Sequence, residues 1–353
     1  MRPQRSCRPW KITYPKTPVS RTLSNVYAKV LFGRPSWTAA EVSDFASVLG
    51  FSVRWSSVAG AFMSPYGSPH SSSAHSDLQT LFGARELPVF PRHHQQILRE
   101  LRSEASTPVR LVEAISMEPT VCVQVLRMAN LAAYGFQRPV DNIHHAVLRL
   151  GRTRLEGMVI GLGTAQVLSR HRTGPLDHTR FWSLAVRRAA LARRLAEQVC
   201  LRSSPTIFTA ALLSDIAIPM LSSIRPRVYA ELLHTTAYEA VRLESLELEV
   251  FGWTHETVGG WLAQIWQLPA TLGDLIASHH STLTGKSRSA DVVRAAAMVT
   301  GSLGRESAKH ATRQAASVCW HHLGLLPEHT QALVRASSTP DPAMVDMFAR
   351  PAK

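Results

Sequence analysis

From Leu87 onward nearly every apolar stretch of this chain repeats with a helical period, and this limits the fold more than any other feature. Strand-type alternation of apolar and polar residues is almost absent. Proline and glycine fall between the periodic runs, where they end or open helices. Short helices are expected over His93–Leu101 and Val109–Ile115. Pro119 opens the next one, because a first-turn residue has no use for its N–H. Val121, Val125 and Met128 then form a buried stripe. Longer helices are expected at 153–168 and 182–199. Thr254 reads as the N-cap of a helix over 254–267 that stops before Pro269. The expected fold class is all-α, a multi-helix bundle. A helical solenoid is disfavoured, because no repeat unit is visible.

The N-terminal quarter is different. Residues 1–85 hold ten lysines and arginines against Glu41, Asp44 and Asp77, a net +7 of the chain's +14. Residues 1–36 contain five prolines and no sustained period, which predicts a poorly ordered basic arm. Thr38 and Glu41 form a capping-box pattern ahead of Val42, Phe45 and Leu49, so a helix is expected over 38–49. Residues 64–76 are rich in Ser, Pro and His and read as a linker. A basic balance favours nucleic acid or other anionic surfaces, so nucleic acid is a candidate partner of this arm. Most basic chains gain only solubility from such a charge.

Other classes find no support. Cys7, Cys122, Cys200 and Cys319 are far apart and make no zinc-finger or redox spacing. No glycine-rich phosphate loop and no GxSxG nucleophile pattern occurs. The longest apolar stretch, Ala210–Ile224, is interrupted by Asp215 and Pro219, whereas a membrane span needs about 20 apolar residues. No basic-then-apolar leader is evident. The expected location is the cytoplasm.

Several segments together carry a family resemblance. LPVFP (87–91), ISMEPTVCVQVLRMANLAAYG (115–135) and AVLRLGRTRLEGMVIGLG (146–163) come first. FW (181–182) with ARRLAEQV (192–199), AALLSDIAIPML (210–221), THETVGGWLAQIWQLP (254–269) and ASHH (277–280) follow in order. This series resembles the HDOD domain, a non-catalytic relative of the HD and HD-GYP phosphohydrolases. The resemblance implies an HD-like helical domain over 86–285, with helices at 286–335 packed on it and a tail at 336–353. It also implies a bacterial signal-transduction setting and action through a protein partner or a small signalling ligand.

In the parent hydrolases, His and Asp side chains converge on divalent metals that activate water for attack on a phosphoester. Carried over position by position, the resemblance keeps Asp215, His255, His279 and His280. It places Leu184, Ser214 and Thr300 where further ligands would stand. Leucine cannot bind a metal and serine is a poor substitute for imidazole. The expectation is therefore a vestigial polar cluster with no catalytic residue and no cofactor; a single divalent metal on the four survivors is the alternative. A metal-dependent phosphohydrolase with a reduced site is the competing function.

Three further groups need placing. Asp215 sits in an apolar run and must be paired if buried. Arg188 shares a helix face with Leu184, Leu191 and Leu195 and is the candidate charge partner, although an arginine in such a stripe more often snorkels to water. Arg187, Arg193 and Arg194 read as a solvated basic face. Trp253, Trp261 and Trp266 read as packing residues, and His144–His145 and His321–His322 as surface or capping histidines without an acidic partner.

Overall fold

In the computed structural model the chain divides into two compact units, Met1–Ser64 and Pro65–Lys353. The structure describes residues 79, 81–82, 87–131, 139–171, 174–201, 203–235, 240–281, 283, 285–300, 320, 322–325 and 327–350, all in the second unit. The expectations for the basic arm, the helix over 38–49 and the linker lie outside the described residues, as does His321. Among the described residues the fold is all-helical and contains no strand.

Four helices build the N-terminal side: α1 Arg92–Arg102, α2 Pro108–Ser116, α3 Pro119–Ala129 and α4 Ile143–Ser169. Thr107 caps α2 by accepting the Arg110 N–H, and Pro108 takes the first helical position. Pro119 opens α3, and Val121, Val125 and Met128 are buried as their spacing requires. The helix expected over 153–168 is longer, and Gly151 (φ +72°) marks a non-helical step inside it. A residue with a Cβ would be strained there.

The centre of the unit is α5 (His178–Gln198) packed on α6 (Ser204–Leu213). The Asp177 side chain caps α5 by accepting from Arg180 N. Alpha 6 buries Ile207, Thr209, Ala210, Ala211, Leu212 and Leu213. A helix apolar on all sides belongs inside. A turn at 214–216 leads into α7 (Ala217–Ile224), every residue of which is buried. Ser204–Ile224 is apolar and long enough to cross a membrane by composition alone, yet 94% of its apolar 18-residue window is buried in the unit as core.

Next come α8 (Pro226–Thr235), α9 (Ala240–Phe251), α10 (His255–Ile265), α11 (Ala270–Ile276) and α12 (Arg288–Thr300). Thr254 caps α10, with Oγ1 accepting from Thr257 N at 3.3 Å. Gly259 and Gly260 matter to the site. A Cβ on Gly259 would lie 2.9 Å from Ile276 Cγ2, and one on Gly260 2.9 Å from Ala277 Cβ. Two missing side chains thus let α10 approach the end of α11, which brings His255 toward His279 and His280.

Two C-terminal helices follow, α13 (Pro327–Ala336) and α14 (Pro342–Ala349). Within the segment 336–353, expected to be a tail, α14 therefore contributes to the core. Met344, Met347 and Phe348 are buried, and Phe348 stacks on Trp182 of α5 at 5.0 Å. Asp341 caps α14 by accepting from Ala343 N and Met344 N. The apolar spacing in AMVDMFA supports this helix; its shortness hid it.

Candidate functional site

Asp215 lies in the turn between α6 and α7, within the run of buried residues 209–224, so its carboxylate is almost wholly removed from water. Its side chain is 5% exposed. Arg188 answers the charge from α5: Nη2 donates to Asp215 Oδ2 in a buried ion pair. Arg188 does not snorkel; it is 3% exposed. Its stripe of Leu184, Leu191 and Leu195 is buried, so there is no water for it to reach.

The other oxygen, Asp215 Oδ1, faces the histidines. His279 Nε2 lies at 3.0 Å and His255 Nε2 at 3.6 Å. His280 Nε2 is 3.2 Å from His255 Nε2. One donor atom from each of Asp215, His255, His279 and His280 falls within 4.8 Å of the others. The four residues carried over from the resemblance thus meet at one centre. His255 and His279 are fully buried, and His280 is half-buried.

Leu184, Ser214 and Thr300 donate nothing to it. Leu184 is buried but stands outside the contiguous apolar core. Ser214 Oγ donates to Ala210 O at 3.0 Å and Thr300 Oγ1 to Ala296 O at 2.7 Å, each bonding back into its own chain segment.

Sequence reasoning missed an outer ring of acids. Glu247 on α9 is fully buried. Its Oε2 accepts from His255 Nδ1 at 2.6 Å and from His255 N at 2.7 Å, and its Oε1 accepts from the Tyr229 hydroxyl at 2.6 Å. Glu256 accepts from His280 N and lies 3.6 Å from His279 Nδ1. The available signal was Glu256 next to His255, and Glu247 eight residues before it in a run whose helical stripe turns inward.

The ring fixes the tautomers. A carboxylate only accepts, so His255 Nδ1 carries a proton toward Glu247. His279 Nδ1 is 2.7 Å from Ile276 O, a carbonyl, so it too carries a proton. Both Nε2 atoms then turn toward Asp215 Oδ1. A neutral His279 would set a lone pair against a carboxylate at 3.0 Å. That contact is favourable only with a positive charge between them, either a second proton or a cation. A histidine whose outer nitrogen is tied to a carboxylate or carbonyl is the arrangement that aims the inner nitrogen at a metal.

The electrostatics follow the packing. Burial pushes Asp215 up, but Arg188, His279 and His255 outweigh it and hold the carboxyl well below its usual range. Burial pushes His255 down, and Glu247, with Asp215 and Glu256, overrides it to raise the imidazole to about 9. His279 is lowered by burial, partly offset by Asp215. His280 is lowered by burial and by its two histidine neighbours. Glu256 is raised to about 8, first by burial and then by Glu244, with which it hydrogen-bonds.

Other sequence candidates are structural. None of Arg187, Arg188, Arg193 and Arg194 is fully exposed, so the basic face expected on α5 is at least half covered. Trp266 is buried and donates to Pro88 O at 2.7 Å; Trp253 stacks on Phe251 at 4.6 Å. His145 does have an acidic partner, Asp141 at 3.0 Å, and His322 has Asp291 at 3.5 Å. Cys122 and Cys200 are free thiols.

Comparison with known proteins gives the same frame. The HDOD domain model matches residues 87–282. An uncharacterized protein of Treponema pallidum (strain Nichols) is 22% identical over 200 residues, 56% of this chain. The match spans only 38% of that relative's length. The crystal structure of an HDOD domain protein from Geobacter sulfurreducens aligns with a TM-score of 0.62 at 21% identity, covering 78% of this chain and 99% of its own. A structure from Shewanella amazonensis SB2B, assigned as a phosphohydrolase, also gives 0.62 at 20% identity, over 81% of this chain and 100% of its own. One from Marinobacter aquaeolei VT8, assigned as a signal transduction protein, gives 0.57 at 19%, over 78% and 65%. At such identities these structures speak for the fold alone. With more than half of its length matched by the family model, the chain belongs to the HDOD family.

Proposed function

We propose that this chain is a non-hydrolytic HDOD regulatory protein of the cytoplasm, acting by binding a protein partner or a small signalling ligand, and that its His/Asp centre is a structural element holding one divalent cation. The observation that carries this reading is the seating of Arg188 on Asp215. The resemblance alone favoured an empty cluster; the fixed tautomers of His255 and His279 favour a cation in it.

The residues fit one ion. Three imidazoles and one carboxylate suit zinc or iron; three of the six donor separations, at 3.0–3.6 Å, match the edges of a coordination polyhedron with bonds of about 2.1 Å, and all four donors lie within 4.8 Å of one another. Asp215, His255, His279 and His280 would hold it. When bound with an open position, such an ion supplies Lewis acidity and lowers the pKa of water. Four protein donors make a closed set, however, the mark of structural rather than catalytic sites.

Arg188 fixes the other side of Asp215. A guanidinium neutralises the carboxylate as a second metal would, but it never deprotonates and cannot present a hydroxide. Leu184, one turn earlier on α5, puts an apolar branch where a ligand would stand. Arg188 and Leu184 therefore organise charge and packing at this centre and do not activate water.

The test is purification without chelator, metal analysis, and a phosphodiesterase assay with Mn, Fe and Zn supplied. One equivalent of metal per chain, lost in His279→Ala with a fall in melting temperature and with no turnover in either protein, is the expected result. Turnover that His279→Ala removes would overturn the regulatory reading. A metal-free protein whose melting temperature ignores added Zn would overturn the cation.

A further inference from the structure

A second site lies away from the His/Asp centre. A cavity of about 290 Å³ opens between α3, α4, α5 and α6. Met128, Met158 and Leu212 line it with buried apolar surface. Arg154 on α4 and Arg193 on α5 line it with guanidiniums; Arg193 Nε stands 3.8 Å from Oε1 of Glu197, a carboxylate in the same wall, so a ligand anion on Arg193 would share it with that pair. Arg154 is exposed, so the cationic wall reaches solvent. The Arg193 guanidinium carbon stands 5.8 Å from the centroid of the Phe208 ring, which belongs to the same wall. Gly157 has no side chain to fill the space beside Thr209, where a Cβ would come 2.3 Å from Oγ1.

The combination has a definite chemical preference. A volume near 300 Å³ is at the small end of ligand pockets and excludes large molecules. Methionines conform to flat or irregular apolar bodies. Two arginines select a carboxylate or phosphate through paired N–H donors. An aromatic ring already faced by a guanidinium offers a plane on which a second ring can stack. The first turn of α6, with Ser204 and Pro205 in the wall, adds the partial positive charge of a helix start.

We infer that this cavity binds a small organic anion bearing one flat ring, its ring among Met128, Met158 and Phe208 and its anionic group on Arg154 and Arg193. The site shares α5 and α6 with the His/Asp centre, since Arg188 lies on α5 and Asp215 directly follows α6. Occupancy thus bears on the two helices that hold the Asp215–Arg188 pair. The inference does not depend on a metal being present at that centre.

The experiment uses the full chain, calorimetry and thermal melting, with phenyl phosphate, benzoate, inorganic phosphate and phenol as probes. Phenyl phosphate or benzoate should bind saturably and raise the melting temperature. Inorganic phosphate and phenol, each carrying half of the ligand, should bind at least tenfold more weakly. Arg154→Glu, a change at an exposed position, should weaken the ring-bearing anion at least tenfold without lowering the melting temperature of the free protein. His280→Ala, at the other centre, should leave binding intact. No saturable binding by any probe overturns the inference, as does binding indifferent to Arg154→Glu. Loss of binding in His280→Ala together with binding unchanged in Arg154→Glu overturns it too, by placing the anion at the His/Asp centre.

Discussion

His94 is buried on α1, 4% exposed, and neither ring nitrogen has a hydrogen-bond partner. Its ring meets Phe90 edge-on at 6.1 Å. Burial, helped by the charge of neighbouring His93, lowers it from 6.5 to about 4. The unfolded chain therefore takes up a proton near pH 6.5 that the folded chain refuses until about pH 4. Above pH 7.5 both states are neutral and His94 adds no pH dependence. As the pH falls from 6.5 toward 4, stability drops by up to 1.36 kcal/mol per unit. By pH 4.5 the loss amounts to about 2.5 kcal/mol. His94→Leu removes it and keeps the pocket apolar. At pH 8 the variant should already be about 1–2 kcal/mol more stable, because two unpartnered buried nitrogens are gone. Denaturant unfolding of both proteins from pH 8 to pH 4.5 isolates the effect, since every other titrating group cancels in the difference. The gap should widen by about 2.5 kcal/mol on acidification. Parallel curves would show that His94 is solvated or paired in solution and would refute the argument.

Two further perturbations probe the centre. Arg188→Met should destabilise the protein by about 3–5 kcal/mol, since it leaves the Asp215 carboxylate buried with one fewer charge partner; chemical unfolding reads it, and a loss under 1 kcal/mol would mean that the pair is not closed in solution. Gly259→Val should separate α10 from the end of α11, because a Cβ there already lies 2.9 Å from Ile276; metal content and histidine ring NMR shifts should both change, while Gly273→Ala, where a Cβ would sit at an ordinary 3.6 Å from Ala263, should alter neither.

The fold was legible because helix signals are local. Thr254, Pro119 and the stripe of Val121, Val125 and Met128 state their role within one or two turns of sequence. The four residues at the centre were readable only through the resemblance, since Asp215 and His280 are 65 positions apart and no local pattern joins them. What stayed hidden was relational. Whether Arg188 reaches water depends on what covers α5, and α14, which covers part of it, lies some 160 residues later in the chain. Glu247 looks like a surface acid in ESLELEV until α9 is set beside α10. Phe348 looked terminal until Trp182 was placed under it.

The identity of the positive charge between Asp215 and the histidines can be decided by the direction of a pH response. Without an ion, the histidine proton that sets the pH response is the one on His255, which burial lowers and Glu247 and Asp215 raise to about 9. A histidine raised in the folded state contributes stability in full below its unfolded value of 6.5 and loses it as the pH climbs through 9. Chelator-stripped protein should accordingly lose melting temperature between pH 6.5 and 9. If a divalent ion supplies the charge, the imidazoles must be deprotonated to hold it, so protons compete with the ion. Metal-loaded protein should then hold or gain melting temperature over the same interval and lose it on acidification. Glu247→Gln should flatten the first curve, because it removes the main cause of the raised value. It should weaken the second without reversing it, because the amide oxygen still accepts from His255 Nδ1. Identical slopes with and without chelator would mean that no ion enters the centre, and the four residues would then be a hydrogen-bonded relic.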